Sequence, residues 1–264
     1  MTHSNHMASL AVSLACIAWL AGAQSAYAAP DKAAAKAPAV QPAVMAALDK
    51  MGKYLRTLKA FQVSAATSTD GVTDDGQVIE TDAVSDILAQ MPNRLRVEIT
   101  SDDQHRLYFY DGKTVTIWAE LVNYYATVPA PPTIAQLADD LDDKYDISLP
   151  LEDLFSWGTP RSNTAQITAA TDFGPSQVLG VTCQQYGFRQ PGLDWQIWIQ
   201  NGDYPLPRKI VLTTTSDPAR PKYSAVLTWN LAPSFDDATF IFVPPKEAHR
   251  IVLAGVSGAG GKNK

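Results

Sequence analysis

The residues that could carry chemistry are few and scattered. Four histidines and two cysteines serve 264 residues. Beyond the N-terminal segment the histidines are His105 and His249, so a Ser-His-Asp relay has little to draw on. No G-x-S-x-G turn occurs, and paired Cys or His ligands for zinc are missing. Asp139, Asp140, Asp142, Asp143 and Asp146 form an acidic run. A calcium loop needs ligands at alternate positions and a glycine at its sharp turn, and neither pattern is present. The run reads as the solvated face of a helix. Asp102, Asp103 and His105 read as a polar hairpin tip, and Glu152 and Asp153 as the acidic start of a short helix. The glycines between Gly255 and Lys262 lack the spacing of a phosphate-binding loop. Cys183 reads as a small buried hydrophobe. These patterns point away from an enzyme and imply no metal or other cofactor.

What remains is chemistry by desolvation. The apolar candidates from predicted strands are Leu95, Val97, Phe109, Ile117, Trp195, Ile197, Leu227 and Trp229. Leu137, Leu141, Phe155 and Trp157 would answer them from predicted helices. If helices cover the sheet incompletely, an acyl chain can enter the gap, gaining about 0.8 kcal/mol per buried CH₂. If the side chains meet instead, the same residues are an ordinary core. The protein is then an interaction module that docks an envelope partner. Tyr108, Tyr110, Trp118, Tyr124 and Tyr125 form a second aromatic group, read as cross-strand pairs or as a docking patch.

The elements that must position these residues follow from periodicity. Val44, Leu48, Met51, Leu55 and Leu58 recur at spacings of three and four, which predicts an amphipathic helix. From Phe61 the period drops to two. Strands are predicted from Phe61, over 78–90, through Leu95, Val97 and Ile99, through Leu107 and Phe109, through Val115 and Ile117, and over 124–128. Asp70-Gly71, Asp75-Gly76, Asp111-Gly112 and Asn201-Gly202 mark turns. Pro129, Pro131 and Pro132 break the pattern, and Thr133 caps a helix through Ile134, Leu137, Leu141 and Tyr145. A shorter helix runs from Leu151 to Trp157. Strands resume over 166–173, 181–189, 194–200, 207–215 and 222–231, with a last one near 239–243. This order predicts an α+β fold, mainly antiparallel β: one large sheet, curled into a half-open barrel, with helices over its apolar face.

Composition agrees with a sizeable core, at 46% hydrophobic and 18% charged residues. The formal charge of -6 argues against nucleic acid, whose binding needs a basic face. Residues Ala8 to Ala23 are uncharged and apolar, and Ala26-Tyr27-Ala28 precedes Ala29-Pro30 as a small-x-small cleavage pattern. Residues 1–28 therefore read as a signal peptide for export to the periplasm, with an uncleaved anchor as the alternative. Cys16 has Ser13 where a lipoprotein signal wants a branched aliphatic residue. Residues 29–39 read as a flexible linker, 40–247 as the folded domain and 248–264 as a loose tail, with no transmembrane segment in the mature chain.

Several strings resemble the LolA/LolB superfamily of periplasmic lipoprotein carriers. They are Met91-Pro92-Asn93-Arg94-Leu95-Arg96, Tyr110-Asp111-Gly112-Lys113-Thr114 and Phe240-Ile241-Phe242-Val243-Pro244-Pro245-Lys246. Asp194-Trp195-Gln196-Ile197-Trp198-Ile199 and Pro205-Leu206-Pro207-Arg208-Lys209 are similar to stretches of an allied family of predicted periplasmic proteins of unknown function. The resemblance covers about 40 to 247. It implies an unclosed antiparallel barrel with a helical lid, whose cavity receives lipid or lipoprotein acyl chains. In the lipoprotein carrier the residue before the Pro-Asn pair is an arginine that latches the lid. Here that residue is Met91, so this latch is not carried over.

Overall fold

The computed structural model describes residues 39–255. The expected signal peptide, nearly all of the linker and the end of the tail lie outside them. The described chain forms α1 (Pro42–Thr57), β1 (Ala60–Val72), β2 (Val78–Gln90), β3 (Arg94–Ser101), β4 (His105–Tyr110), β5 (Thr114–Ala119) and β6 (Tyr124–Pro129). Two helices follow, α2 (Ile134–Tyr145) and α3 (Asp153–Ser156). The chain then returns to strands: β7 (Ala169–Val178), β8 (Val181–Gln190), β9 (Leu193–Gln200), β10 (Pro207–Thr214), β11 (Lys222–Asn230) and the short β12 (His249–Arg250).

All strands join one 12-stranded sheet in the order β12-β6-β5-β4-β3-β2-β1-β11-β10-β9-β8-β7. Neighbours are antiparallel, except that β12 runs parallel to β6. The outermost strands, β12 and β7, do not pair, so the barrel is unclosed. This order explains the helical insertion. Strands β1 to β6 step outward to one side, and β7 to β11 step inward from the other. The chain must therefore cross from the last strand of one half to the far edge of the other. Residues 130–168 make that crossing over the apolar face, and α2 and α3 lie within it.

The helices form for local reasons and stay for packing. Pro42 starts α1, where its missing N–H is no loss. Thr133 caps α2 by accepting from the Gln136 N–H. Val44, Leu48, Met51 and Leu55 of α1, with Ile134, Leu137 and Leu141 of α2, are buried against Phe61, Val63, Ile87, Leu95 and Val97 of the sheet. Tyr110 lies fully buried among them and its hydroxyl donates to the Pro131 carbonyl at 2.5 Å. That bond ties the start of the crossing to β4. Among the described residues no helix is long and apolar enough to cross a membrane.

Three expectations are corrected. Residues 239–243 are not a strand: a 3-10 turn spans Asp237–Phe240, capped by Asp236, and the chain then lies extended across the outer face of β4, β5 and β6. The loose tail does not begin at 248, because His249–Arg250 pairs with Tyr124 and Tyr125. The strand expected over 166–173 is shifted to Ala169–Val178. β7 runs on through Gly174-Pro175, which an edge strand accommodates because proline there costs no ladder bond.

Candidate functional site

The segment around α3 is held from α1. Arg56 Nη1 donates to the Phe155 carbonyl at 2.6 Å, and Nη2 donates to that of Leu154. A guanidinium fork suits two adjacent carbonyls left free at a helix end. Gly158, just past α3, abuts Gly52 of α1. Leu154 and Phe155 point into the core, and Phe155 stacks on Phe61 at 6.0 Å between ring centroids.

Two clefts flank this short helix. The larger, about 400 Å³, lies between residues 148–157 and strands β1, β2, β3, β10 and β11. Ile99, Leu149, Leu151, Ile210 and Leu212 supply apolar wall, and Thr67, Ser85 and Tyr223 add hydroxyls. The smaller, about 210 Å³, is bounded by Ile167, Leu193, Trp195, Ile210 and Leu212. Asp153 and Trp157 line both, so α3 and the residue after it form the partition between them. The larger volume falls in the usual range of about 300–1,000 Å³ for small-molecule sites. A third hollow, about 480 Å³ and polar, lies between α2 and α3, with Asp139, Asp142, Asp143, Glu152 and Asp153 on its walls.

The electrostatics of this end are negative. Burial raises the Asp153 carboxyl above the ordinary carboxylate value. Its side chain nevertheless keeps solvent-exposed surface at the mouth of the clefts. Glu152 is raised as well, first by burial and then by Asp153 and Asp142. The Tyr223 hydroxyl is pushed up to about 12, first by burial and then by the charge of Asp153. Arg161 is paired with Asp139.

The apolar residues expected to line a cavity are distributed differently. Leu95, Val97, Leu137, Leu141, Phe155, Ile197 and Leu227 meet in one packed core, with Ile117 and Trp229 partly buried against it. Beneath α1 and α2 these side chains pack against one another, and the open volume lies beside α3. Trp157 and Trp195 do line cleft space. Phe109 sits on the opposite face of the sheet, under Arg96 and against Phe242. Alternation could not reveal this, because β4 is apolar at Leu107, Tyr108, Phe109 and Tyr110 in succession. Tyr108 and Tyr110 take the core face. Trp118 and Tyr125 join Phe109 around Phe242 on the other.

The cleft residues that sequence reasoning missed are Ile99, Leu149, Leu151, Ile210, Leu212, Tyr223 and Asp153. Pro150, between two leucines, was the available sign of an irregular apolar segment over the sheet. Cys183 is fully buried, its thiol raised by burial, and donates weakly to the Val181 carbonyl at 3.4 Å. That is the inert setting expected of it. His105 contacts Glu98 at 2.9 Å and also Glu120.

No curated protein sequence matches the chain. Among solved structures it is similar to an uncharacterized conserved protein from Thermus thermophilus, at 13% identity and a TM-score of 0.45, covering 80% of this chain and 99% of that one. It is also similar to LprF from Mycobacterium bovis, at 14% identity and a TM-score of 0.44, covering 81% and 100%. A LolA superfamily protein from Nitrosomonas europaea gives 12% identity and a TM-score of 0.36, covering 75% and 97%. The function of those proteins does not transfer at such values. A family model matches residues 44–254, nearly the whole described chain, and by that match the protein belongs to the predicted periplasmic protein family DUF2092.

Proposed function

We propose that this periplasmic protein is a non-enzymatic carrier or chaperone that holds an acyl chain of a lipid or lipoprotein in the clefts beside α3. The observation that carries the reading is the apolar-walled cleft of about 400 Å³ on the sheet's core-facing side. Burying an acyl chain there removes apolar surface from water at about 0.8 kcal/mol per CH₂. The partition between the two clefts is a single short helix, Asp153–Ser156, with Trp157 after it. Its outward movement would merge the clefts and admit a longer chain.

The packed core beneath α1 and α2 supports a second reading, an interaction module that docks an envelope partner and carries no lipid. One experiment separates the two. Protein isolated from its own periplasm is analysed by native mass spectrometry, and a fluorescent fatty-acid probe is titrated against it. The carrier reading expects co-purified lipid, displacement of the probe, and weaker binding in Ala83→Trp, which fills the larger cleft. No lipid and no probe binding would leave the module reading.

A further inference from the structure

The two clefts beside α3 share a floor. Ile210 and Leu212 of β10 line both of them, and so does Trp157. Leu212 stands in register between Tyr223 of β11 and Trp195 of β9. Tyr223 lines only the larger cleft and Trp195 only the smaller. The clefts therefore run side by side across β10, with Trp157 as the ridge between them. A single chain fills one side and leaves the apolar wall of the other in water, which is unfavourable. The polar groups on the walls add a second constraint. Among the described residues no Lys, Arg or His lines either cleft. The donors are neutral: Thr67, Ser85 and Tyr223 in the larger cleft, and Asn163, Thr164 and Gln190 in the smaller. A carboxylate on a buried chain would find no counter-ion there. An ester or amide carbonyl needs only a hydroxyl or an amide N–H.

Resting on the acyl-chain reading above, we infer that the occupant is a lipid with two chains, one in each cleft, joined beside Trp157 by an uncharged group that carries ester or amide carbonyls. Chains of unequal length suit the site, because the clefts measure about 400 and 210 Å³. A free fatty acid is a poorer occupant on both counts. It fills one cleft only, and its carboxylate has no cation to meet on the walls.

The test uses three ligands with the same chain: dioctanoylglycerol, mono-octanoylglycerol and octanoate. Each is titrated calorimetrically into the purified full chain below its aggregation concentration. Two molecules of mono-octanoylglycerol should bind per protein, but one of dioctanoylglycerol. The two-chained ligand should be tighter by about a hundredfold or more, because its second chain enters without a second loss of free motion. Octanoate should be weaker than mono-octanoylglycerol by about tenfold or more, for want of a counter-ion. Ala83→Trp narrows the larger cleft alone, and Thr164→Trp the smaller alone. Each should leave one molecule of mono-octanoylglycerol bound, which also shows that the variant is folded, and should weaken dioctanoylglycerol by about tenfold or more. One molecule of mono-octanoylglycerol on the parent protein, or dioctanoylglycerol affinity that Thr164→Trp leaves unchanged, overturns the two-chain assignment alone. Octanoate as tight as mono-octanoylglycerol overturns the uncharged joining group. Failure of all three ligands to bind overturns the acyl-chain reading itself, and the assignment with it.

Discussion

Gly52 and Gly158 meet backbone to backbone. A Cβ on Gly52 would lie 2.5 Å from the Gly158 nitrogen, and one on Gly158 would lie 2.4 Å from the Gly52 carbonyl carbon. The contact presses the segment after α3 onto α1 with no side chain between them. Gly52→Ala and Gly158→Ala should each lower stability by about 1–3 kcal/mol through overpacking. Gly158 also has φ +76, so its variant adds about 1–2 kcal/mol of left-handed strain. Gly76→Ala is the control, with φ +85 and open space around it. Urea unfolding of the three variants checks the account. Equal losses at Gly76 and Gly158 would remove the packing contribution.

Arg56→Ala should loosen the partition between the clefts. It strips the Leu154 and Phe155 carbonyls of their donor, at about 1.5–3 kcal/mol for a charged hydrogen bond. Arg56→Lys should recover only part, because an ammonium cannot reach both carbonyls as a fork. Hydrogen exchange should rise over residues 148–164 and stay unchanged in β1 and β2. Protection that is equal in all three proteins would mean that α3 is held by its core contacts alone.

The C-terminal segment should behave as part of the fold. Phe242 packs on Phe109, Trp118 and Tyr125 at centroid distances of 5.4, 5.6 and 5.0 Å. Phe242→Ala should cost about 1–3 kcal/mol, below the full-burial value because the ring is half-buried. The uncovered aromatics should bind a hydrophobic dye such as ANS. A variant as stable and as dye-free as the parent would show that the segment is dispensable.

Asp153 should weaken the fold at neutral pH. Its folded-state pKa lies above the ordinary 3.8, so the native state disfavours ionisation. Below 3.8 the carboxyl is protonated both folded and unfolded, and it carries no penalty. As pH rises toward the folded value, the unfolded chain releases the proton first and stability falls. Glu152, Asp142 and Tyr223 face the same group and stay in place in the variant. Asp153→Asn should therefore be more stable than the parent at pH 7, and the difference should shrink near pH 3. Denaturant midpoints at the two pH values give the answer. A variant less stable at pH 7 would contradict the burial argument.

Much of the architecture was legible because local periodicity is a direct record of which side of an element is apolar. The period-two run through Leu95, Val97 and Ile99 is β3, and the three-four spacing from Val44 to Leu55 is α1. Reading failed where a segment is buried on both sides or belongs to an edge. β4 is apolar on both faces because Phe242 covers the outer one, so Phe109 was assigned to the wrong side. β7 tolerates Gly174-Pro175 because at those residues only β8 pairs with it, the bridge from Val40 meeting β7 earlier, at Ala170. The Phe240 to Pro244 string resembles a strand but spends its aromatic ring on packing across the sheet instead of on a ladder.

The sequence by itself determined most of the element types, the turns, the export signal as an expectation and the absence of a metal or triad signature. All of these depend on neighbours within a few residues. Where empty space remains was decided only by the tertiary structure. Leu137, Leu141, Leu227 and Ile197 were apolar enough for a cavity wall or for a core, and they became core because α1 and α2 fill the face above them. The clefts opened instead at α3, where the crossing from β6 to β7 thins to a helix of four residues. Volume left between elements is the difference between large packed shapes brought together from distant parts of the chain, and no local pattern encodes it.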